Sequence, residues 1–289
     1  MDTILEILKA ILQGVVQGIT EWLPISSTGH LILIDELIHM TVSPDPVRNE
    51  AFFHLFKVLV QLGSILAVIV LYFHKLNPLS PKKSLVQKRD TWKLWVKVLV
   101  ASIPAGVVGI LFDDIIEGAL SKWFVIAAAL AVYGVLFIVV ENQQRTPRIN
   151  DFETMDYKTV LLIGVFQMLA LIPGTSRSGA TIVGAVMLGC SRYVAAEFSF
   201  FMAIPAMLGG SAIKLLKFAM EQESGIAFTG LEWTVLLTGM IVSFVVSLLV
   251  IKFLMNYIKR HDFKVFGYYR IVLAVLVAAY FITTRYILA

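Results

Sequence analysis

The sequence predicts an all-α integral membrane protein with about six transmembrane helices and two re-entrant helix pairs, arranged as an inverted repeat. Three observations carry that prediction. Of 289 residues, 58% are hydrophobic and only 15% charged, with a mean hydropathy of +0.83. A soluble domain has about 45–50% apolar and about 25% charged residues, so the excess apolar surface has to face lipid. This excludes a soluble enzyme, a disordered chain and a secreted disulfide scaffold; the single cysteine, Cys190, also excludes an internal disulfide. The second observation is a set of apolar segments of spanning length, and the third is a one-sided distribution of basic residues.

Residues 51–73, 94–112, 123–140, 193–213, 233–251 and 265–284 are about long enough to cross a bilayer. The few charges inside them, among them Lys97, Glu197 and Arg270, need partners. Two further regions are interrupted. Residues 159–172 are uncharged and stop at Pro173-Gly174-Thr175-Ser176-Arg177-Ser178, after which 179–190 is apolar again. Residues 10–23 run into Pro24-Ile25-Ser26-Ser27-Thr28-Gly29-His30, followed by the apolar 31–34. Arms this short, separated by helix breakers, predict re-entrant pairs whose freed backbone groups need protein or water around them. Glycines at 106, 109 and 209–210 predict close helix contacts.

Loops 75–97, 141–158 and 258–264 carry most of the Lys and Arg, whereas Asp113, Asp114, Glu117, Glu221, Glu223 and Glu232 mark the opposite side. The positive-inside rule makes the basic side cytoplasmic, with both termini outside. The same rule accounts for the net charge of +4, so no nucleic-acid partner is expected. The first nine residues lack the basic region of a cleavable signal peptide. The whole chain, 1–289, reads as a single membrane domain.

A shift of 150 residues aligns Gly14 with Gly164, Gln17 with Gln167, Ser26 with Ser176 and Gly29 with Gly179. Each half, 1–145 and 155–289, is then a broken pair followed by three spans. Three is odd, so the second half is inverted, and inverted repeats bring broken-helix tips together near the midplane.

Gln17 and Glu21, four residues apart, share a helix face. A carboxylate at membrane depth is costly and marks a functional site. Arg177 lies among residues otherwise uncharged until Arg192 and offers a planar fork of donors. With Ser176, Ser178 and a helix start it forms an oxyanion cradle. A guanidinium, a carboxylate, an imidazole and several hydroxyls suit phosphoryl chemistry, in which Arg177 neutralises phosphate, Glu21 holds a divalent cation or acts as base, and His30 or a serine is nucleophile or acid.

The runs Gln17-Gly18-Ile19-Thr20-Glu21-Trp22-Leu23-Pro24-Ile25-Ser26-Ser27-Thr28-Gly29-His30 and Pro173-Gly174-Thr175-Ser176-Arg177-Ser178-Gly179-Ala180-Thr181 resemble the two signature motifs of bacterial undecaprenyl-diphosphate phosphatases, the bacitracin-resistance family. Residues 56–68 and 191–205 are similar to its other characteristic stretches. The resemblance implies an inner-membrane enzyme that converts undecaprenyl diphosphate to undecaprenyl phosphate and inorganic phosphate. That reaction recycles the lipid carrier of cell-wall synthesis and gives bacitracin resistance. It also implies a polyprenyl diphosphate partner, a site opening toward the extracytoplasmic side and a Mg²⁺ or Ca²⁺ cofactor. The family's first motif places metal ligands at Gln17 and Glu21; this chain has Gln where some members have Glu, which moves the weight to Glu21. Catalytic roles fall on Glu21, Ser27, His30 and Arg177, and phosphate binding on Ser26, Thr28, Ser176, Ser178 and Thr181. Whether Ser27 or His30 attacks phosphorus, or one of them activates water, stays open, as does a homodimer. The rival reading is a secondary transporter or flippase of polyprenyl phosphates, since inverted repeats with broken helices are also transporter architecture.

Overall fold

The computed structural model describes residues 3–120, 122–221 and 228–284. Glu223, the extreme termini and the side chains of Asp113, Asp114, Glu117 and Glu221 lie outside the described set. The described residues are helical almost throughout. The order is α1 (Thr3–Thr20), α2 (Ser27–Leu37), α3 (Pro46–Leu71), α4 (Phe73–Leu76), α5 (Leu85–Leu120), α6 (Trp123–Asn142), α7 (Tyr157–Met168) with a 3-10 turn (Leu169–Leu171), α8 (Arg177–Met187), α9 (Arg192–Glu221), α10 (Gly230–Tyr257) and α11 (Lys264–Ile282).

Seven of these helices are long and apolar enough to cross a membrane. Six correspond to the expected spans, with α3 and α11 ending two residues short of 51–73 and 265–284. The seventh is α1, which the sequence presents only as a short arm over 10–23. Its hydropathy is interrupted by Glu6 and Lys9, but these pair at 2.7 Å one turn apart, so the helix extends back to Thr3. Membrane helices are polar inward and apolar outward here. On α10, Leu237, Ile241, Val245 and Leu249 are exposed at four-residue intervals, while Ser243 and Ser247 are buried and hydrogen-bonded to Ser64 of α3.

Two helical hairpins set up the site. In the first, α2 returns to the start of α1: Thr41 N donates to Glu6 Oε2 at 2.8 Å and Lys9 Nζ to His39 O at 2.7 Å. In the second, α8 returns to the segment preceding α7. Arg148 N and Ile149 N both donate to Gly189 O, at 2.8 and 3.0 Å, and Ile149 bridges Cys190. Asp156 caps α7, and its hydrogen bonds from Thr159 hold the exposed carboxyl below the usual carboxylate range.

The hairpins pack across the chain's two halves. Arm α1 lies on α10 and arm α7 on α5; α3 also contacts α10, and α9 contacts α5. Glycine makes both arm contacts close. A Cβ at Gly14 would stand 2.7 Å from Gly239 O, and one at Gly164 would overlap Ala101 O. The expected close contacts at Gly106, Gly209 and Gly210 are not formed, because nothing lies within 4 Å of a Cβ there. Those glycines face away from neighbouring helices; the small-residue contacts sit on the hairpin arms instead.

Buried charges find their partners. Glu197 accepts from Lys75 Nζ at 2.7 Å, and Lys97 Nζ donates to Phe152 O. Trp22, Val183, Phe198, Phe200, Phe201 and Met202 form the largest apolar core, directly behind the two hairpin tips.

Candidate active site

The tips share one backbone device. Ser26 (φ 77°) and Ser176 (φ 71°) sit in the left-handed region, and each side chain caps the helix that follows. Ser26 Oγ accepts from Gly29 N at 3.4 Å and Ser176 Oγ from Gly179 N at 3.2 Å. A non-glycine residue in such a conformation costs about 1–3 kcal/mol and persists where the surroundings over-determine it. Here it turns the chain sharply, so that α2 and α8 begin with their unpaired first-turn N–H groups at the tips. At Gly174 (φ +93°) a Cβ would come within 2.6 Å of Ile126 O, so the second tip admits only glycine there.

The two tips touch. Ser178 Oγ donates to Glu21 O at 3.2 Å and Leu23 O at 3.4 Å. Glu21, buried at the end of the first arm, is the centre of the cluster. Its Oε2 accepts from Ser27 Oγ at 2.7 Å and from Gln17 Nε2 at 3.0 Å, and its Oε1 from Arg177 Nη2 at 3.3 Å. Arg177 Nη1 donates to Ser199 O at 2.7 Å, and the guanidinium stands 5.8 Å over the Trp22 ring. Its Nε is buried without a hydrogen-bond partner among the described residues. Trp22 is in turn held edge-on by Phe200. Thr181 Oγ1 donates to Arg177 O at 2.8 Å and lies 2.7 Å from Ser199 Oγ.

The residues singled out from sequence therefore divide. Gln17, Glu21, Ser27 and Arg177 converge, and Ser178 and Thr181 brace them. The hydroxyls of Ser26 and Ser176 are engaged as caps, and Thr28 is exposed. His30 turns away from Glu21. Its Nδ1 is 2.7 Å from Ser26 O and its Nε2 2.7 Å from Tyr269 OH. A carbonyl only accepts, so Nδ1 carries the hydrogen, and neutral His30 accepts from Tyr269 through Nε2.

Sequence reasoning missed Arg270, Ser199 and Tyr269. Arg270 of α11 is fully buried. Its Nη1 donates to Pro24 O of the first tip at 3.1 Å, and its Nη2 to Gly174 O and Thr175 O of the second at 2.8 and 2.9 Å. It clips the two tips together from behind. Its signal was that of a lone charge in an apolar span; nothing in the sequence says that carbonyls are its partners. Ser199 and Tyr269 carried no signal.

As a unit the site offers a hydroxyl hydrogen-bonded to a carboxylate, a buried guanidinium beside that carboxylate, and two helix starts. The guanidinium and the helix starts can hold negatively charged oxygen, and a hydroxyl hydrogen-bonded to a carboxylate is an arrangement that can serve as nucleophile and base.

The description that matches the chain, over residues 10–276, is "Bacitracin resistance protein BacA". Undecaprenyl-diphosphatase 1 of Clostridioides difficile is 57% identical over 96% of this chain and 97% of that protein. Undecaprenyl-diphosphatases of Acetivibrio thermocellus and Lactiplantibacillus plantarum are 55% and 56% identical, covering 97% and 96% of this chain and 100% and 98% of theirs. With the family match extending over both tips and all the helices that carry the site, the chain belongs to the bacitracin resistance protein BacA family.

Proposed function

We propose that this protein hydrolyses undecaprenyl diphosphate to undecaprenyl phosphate and inorganic phosphate within the membrane. The observation that carries the chemistry is the 2.7 Å hydrogen bond from Ser27 to a Glu21 carboxylate that also meets Arg177. A transporter has no need of a hydroxyl paired with a buried base, and this favours the phosphatase over a polyprenyl-phosphate flippase.

In the reaction, the polyprenyl tail stays among the helices and the diphosphate enters between the tips. Arg177 moves its donors onto the terminal phosphate, spreading the charge that builds up on its oxygens. Ser27 Oγ attacks the terminal phosphorus and passes its proton to Glu21. The Oγ–P bond forms, the bridging P–O bond breaks, and undecaprenyl phosphate leaves. Glu21 gives that proton to the departing phosphate oxygen, then takes one from a water that attacks the phosphoserine; the P–Oγ bond breaks, Ser27 Oγ recovers its proton from Glu21, and inorganic phosphate leaves. Ser178 and Thr181 hold the second tip in place while Arg177 works.

A divalent cation fits this donor set in part. Among the described residues no three His, Cys, Asp or Glu side chains are grouped. Gln17 Oε1, however, is a buried acceptor without a hydrogen-bond partner, next to the Glu21 carboxylate. One carboxylate and one amide oxygen suit Mg²⁺ or Ca²⁺, which take oxygen ligands and complete their shells with water and substrate phosphate. Such an ion supplies additional neutralisation of phosphate charge.

In the bilayer, the α1–α2 and α7–α8 hairpins are re-entrant, entering from opposite faces in halves 1–145 and 155–289 that are inverted copies. Support comes from the reciprocal packing of each arm on the other half and from the paired capping serines. The basic loops face the cytoplasm and the site opens outward.

Purified protein in detergent is expected to release inorganic phosphate from undecaprenyl diphosphate, and EDTA to suppress the release. Release that survives EDTA removes the cation from Glu21 and Gln17; no release from folded protein overturns the phosphatase. His30 acts as a positioning residue, its Nδ1–H holding Ser26 O at the start of α2 beside Ser27. Tyr269→Phe removes one hydrogen bond from it, about 0.5–1.5 kcal/mol, so turnover should fall roughly three- to tenfold. His30→Ala made in the Tyr269→Phe background should lose less than it does alone, since the two act as a unit. Full additivity would separate Tyr269 from His30.

A further inference from the structure

A cavity of about 600 Å³ lies at the other end of α8 from Arg177, between the end of α6, the α8–α9 turn and the α10–α11 loop. The eleven residues of α8 put about 16 Å between this cavity and the reaction site, at a rise of 1.5 Å per residue. It is walled by four cations and two carboxylates.

The carboxylates are already engaged. Glu141 is gripped by Arg192, Nε to Oε1 at 2.9 Å, and also accepts from Phe263 N at 3.1 Å. Asp262 pairs with Lys264 at 3.5 Å. Arg145 and Lys259 remain. Neither makes an ion pair among the described residues; their hydrogen bonds are long, to Met187 O at 3.4 Å and to Asn256 Oδ1 at 3.3 Å. The lining therefore holds two cations whose charge nothing in the wall matches, one a planar fork and the other a mobile point charge. That combination suits phosphate. Two uncompensated charges match a phosphomonoester, which carries about −1.5 to −2 at neutral pH, better than a singly charged phosphodiester. Basic pockets between helices on the cytoplasmic side are where lipid head groups bind.

We propose that this cavity is a second phosphate site, selective for a phosphomonoester dianion held by Arg145 and Lys259. The dianion is either the head group of a membrane lipid or free inorganic phosphate. None of these residues belongs to the reaction site, so the assignment does not depend on how that site works.

The test is titration of the purified protein, in detergent, with dioctanoyl phosphatidic acid, dioctanoyl phosphatidylglycerol and inorganic phosphate. The same titrations are made on Arg145→Ala/Lys259→Ala and on Arg177→Ala. Phosphatidic acid should bind more tightly than phosphatidylglycerol. The double variant should weaken that binding by about tenfold or more, the loss of one to two charge-assisted contacts, and Arg177→Ala should leave it unchanged. Phosphate release by the double variant, with no lipid added, should stay at the wild-type level, which also shows that it is folded. If inorganic phosphate binds as tightly as phosphatidic acid with the same dependence on Arg145 and Lys259, the occupant is free phosphate; if only phosphatidic acid binds, it is a lipid. Wild-type binding by the double variant overturns the proposal. So does equal binding of the phosphodiester, or loss of binding in Arg177→Ala.

Discussion

Glu21→Gln is expected to lower phosphate release from undecaprenyl diphosphate by roughly 10²–10⁴-fold, the usual worth of a positioned general base. The substitution is nearly isosteric. Its single oxygen can go on accepting from Ser27, while the amide NH2 takes the place of the oxygen that met Arg177, so the charge, the ability to take a proton and the contact to the guanidinium are lost together. Ser27→Ala should reach a similar floor. The double variant Glu21→Gln/Ser27→Ala should be little worse than either alone, because a nucleophile and its base fail together. Arg177→Ala should fall to the same range through loss of the guanidinium that meets Glu21 Oε1 at 3.3 Å. In each case thermal unfolding in detergent checks that the variant is folded. Wild-type turnover by folded Glu21→Gln or Arg177→Ala would remove the reaction from the meeting point of the tips.

Arg270→Ala should be the most destabilising of the single changes considered. The side chain is fully buried and donates to carbonyls on both tips. Its removal leaves Pro24 O, Gly174 O and Thr175 O short of a donor, at about 1–3 kcal/mol for each buried acceptor left unsatisfied. It also leaves two serines in left-handed conformations with less around them to hold the turn. The expected result is a marked fall in unfolding temperature together with loss of phosphate release. Arg270→Lys separates the two effects. An ammonium can reach one tip but has no fork to span both, so folding should recover more than activity does. A wild-type unfolding temperature and turnover in Arg270→Ala would refute the clip.

Much of this architecture follows from local composition. In hydrocarbon each backbone N–H and C=O must be satisfied within its own segment, so a long uncharged run such as 233–251 has little choice but helix. Pro24 and Pro173-Gly174 end their helices, whereas Pro104 and Pro205 stand inside α5 and α9, so a proline alone does not mark the breaks; the polar residues that follow it at the two tips do. The start of α1 was harder to read. Hydropathy counts Glu6 and Lys9 as two separate penalties, whereas the fold joins them at 2.7 Å and supplies Glu6 with Thr41 N as well. The glycines show the same limit: Gly14 and Gly209 are alike as letters, and only the packing of α1 on α10 makes one of them obligatory.

The sequence by itself determined the membrane class, six of the seven helices of spanning length, the two interrupted segments and the residue types gathered at their tips, because hydropathy and helix breaking act over a few neighbouring residues. The tertiary structure decided who meets whom. Ser27 and Arg177 converge on Glu21, Ser26 and Ser176 become caps, His30 turns to a tyrosine far along the chain, and Arg270 finds carbonyls on both tips. A hydrogen bond needs a partner about 3 Å away in the right direction. Between residues more than a hundred positions apart, that distance is set by how the two hairpins pack across the halves of the chain, which no local pattern encodes.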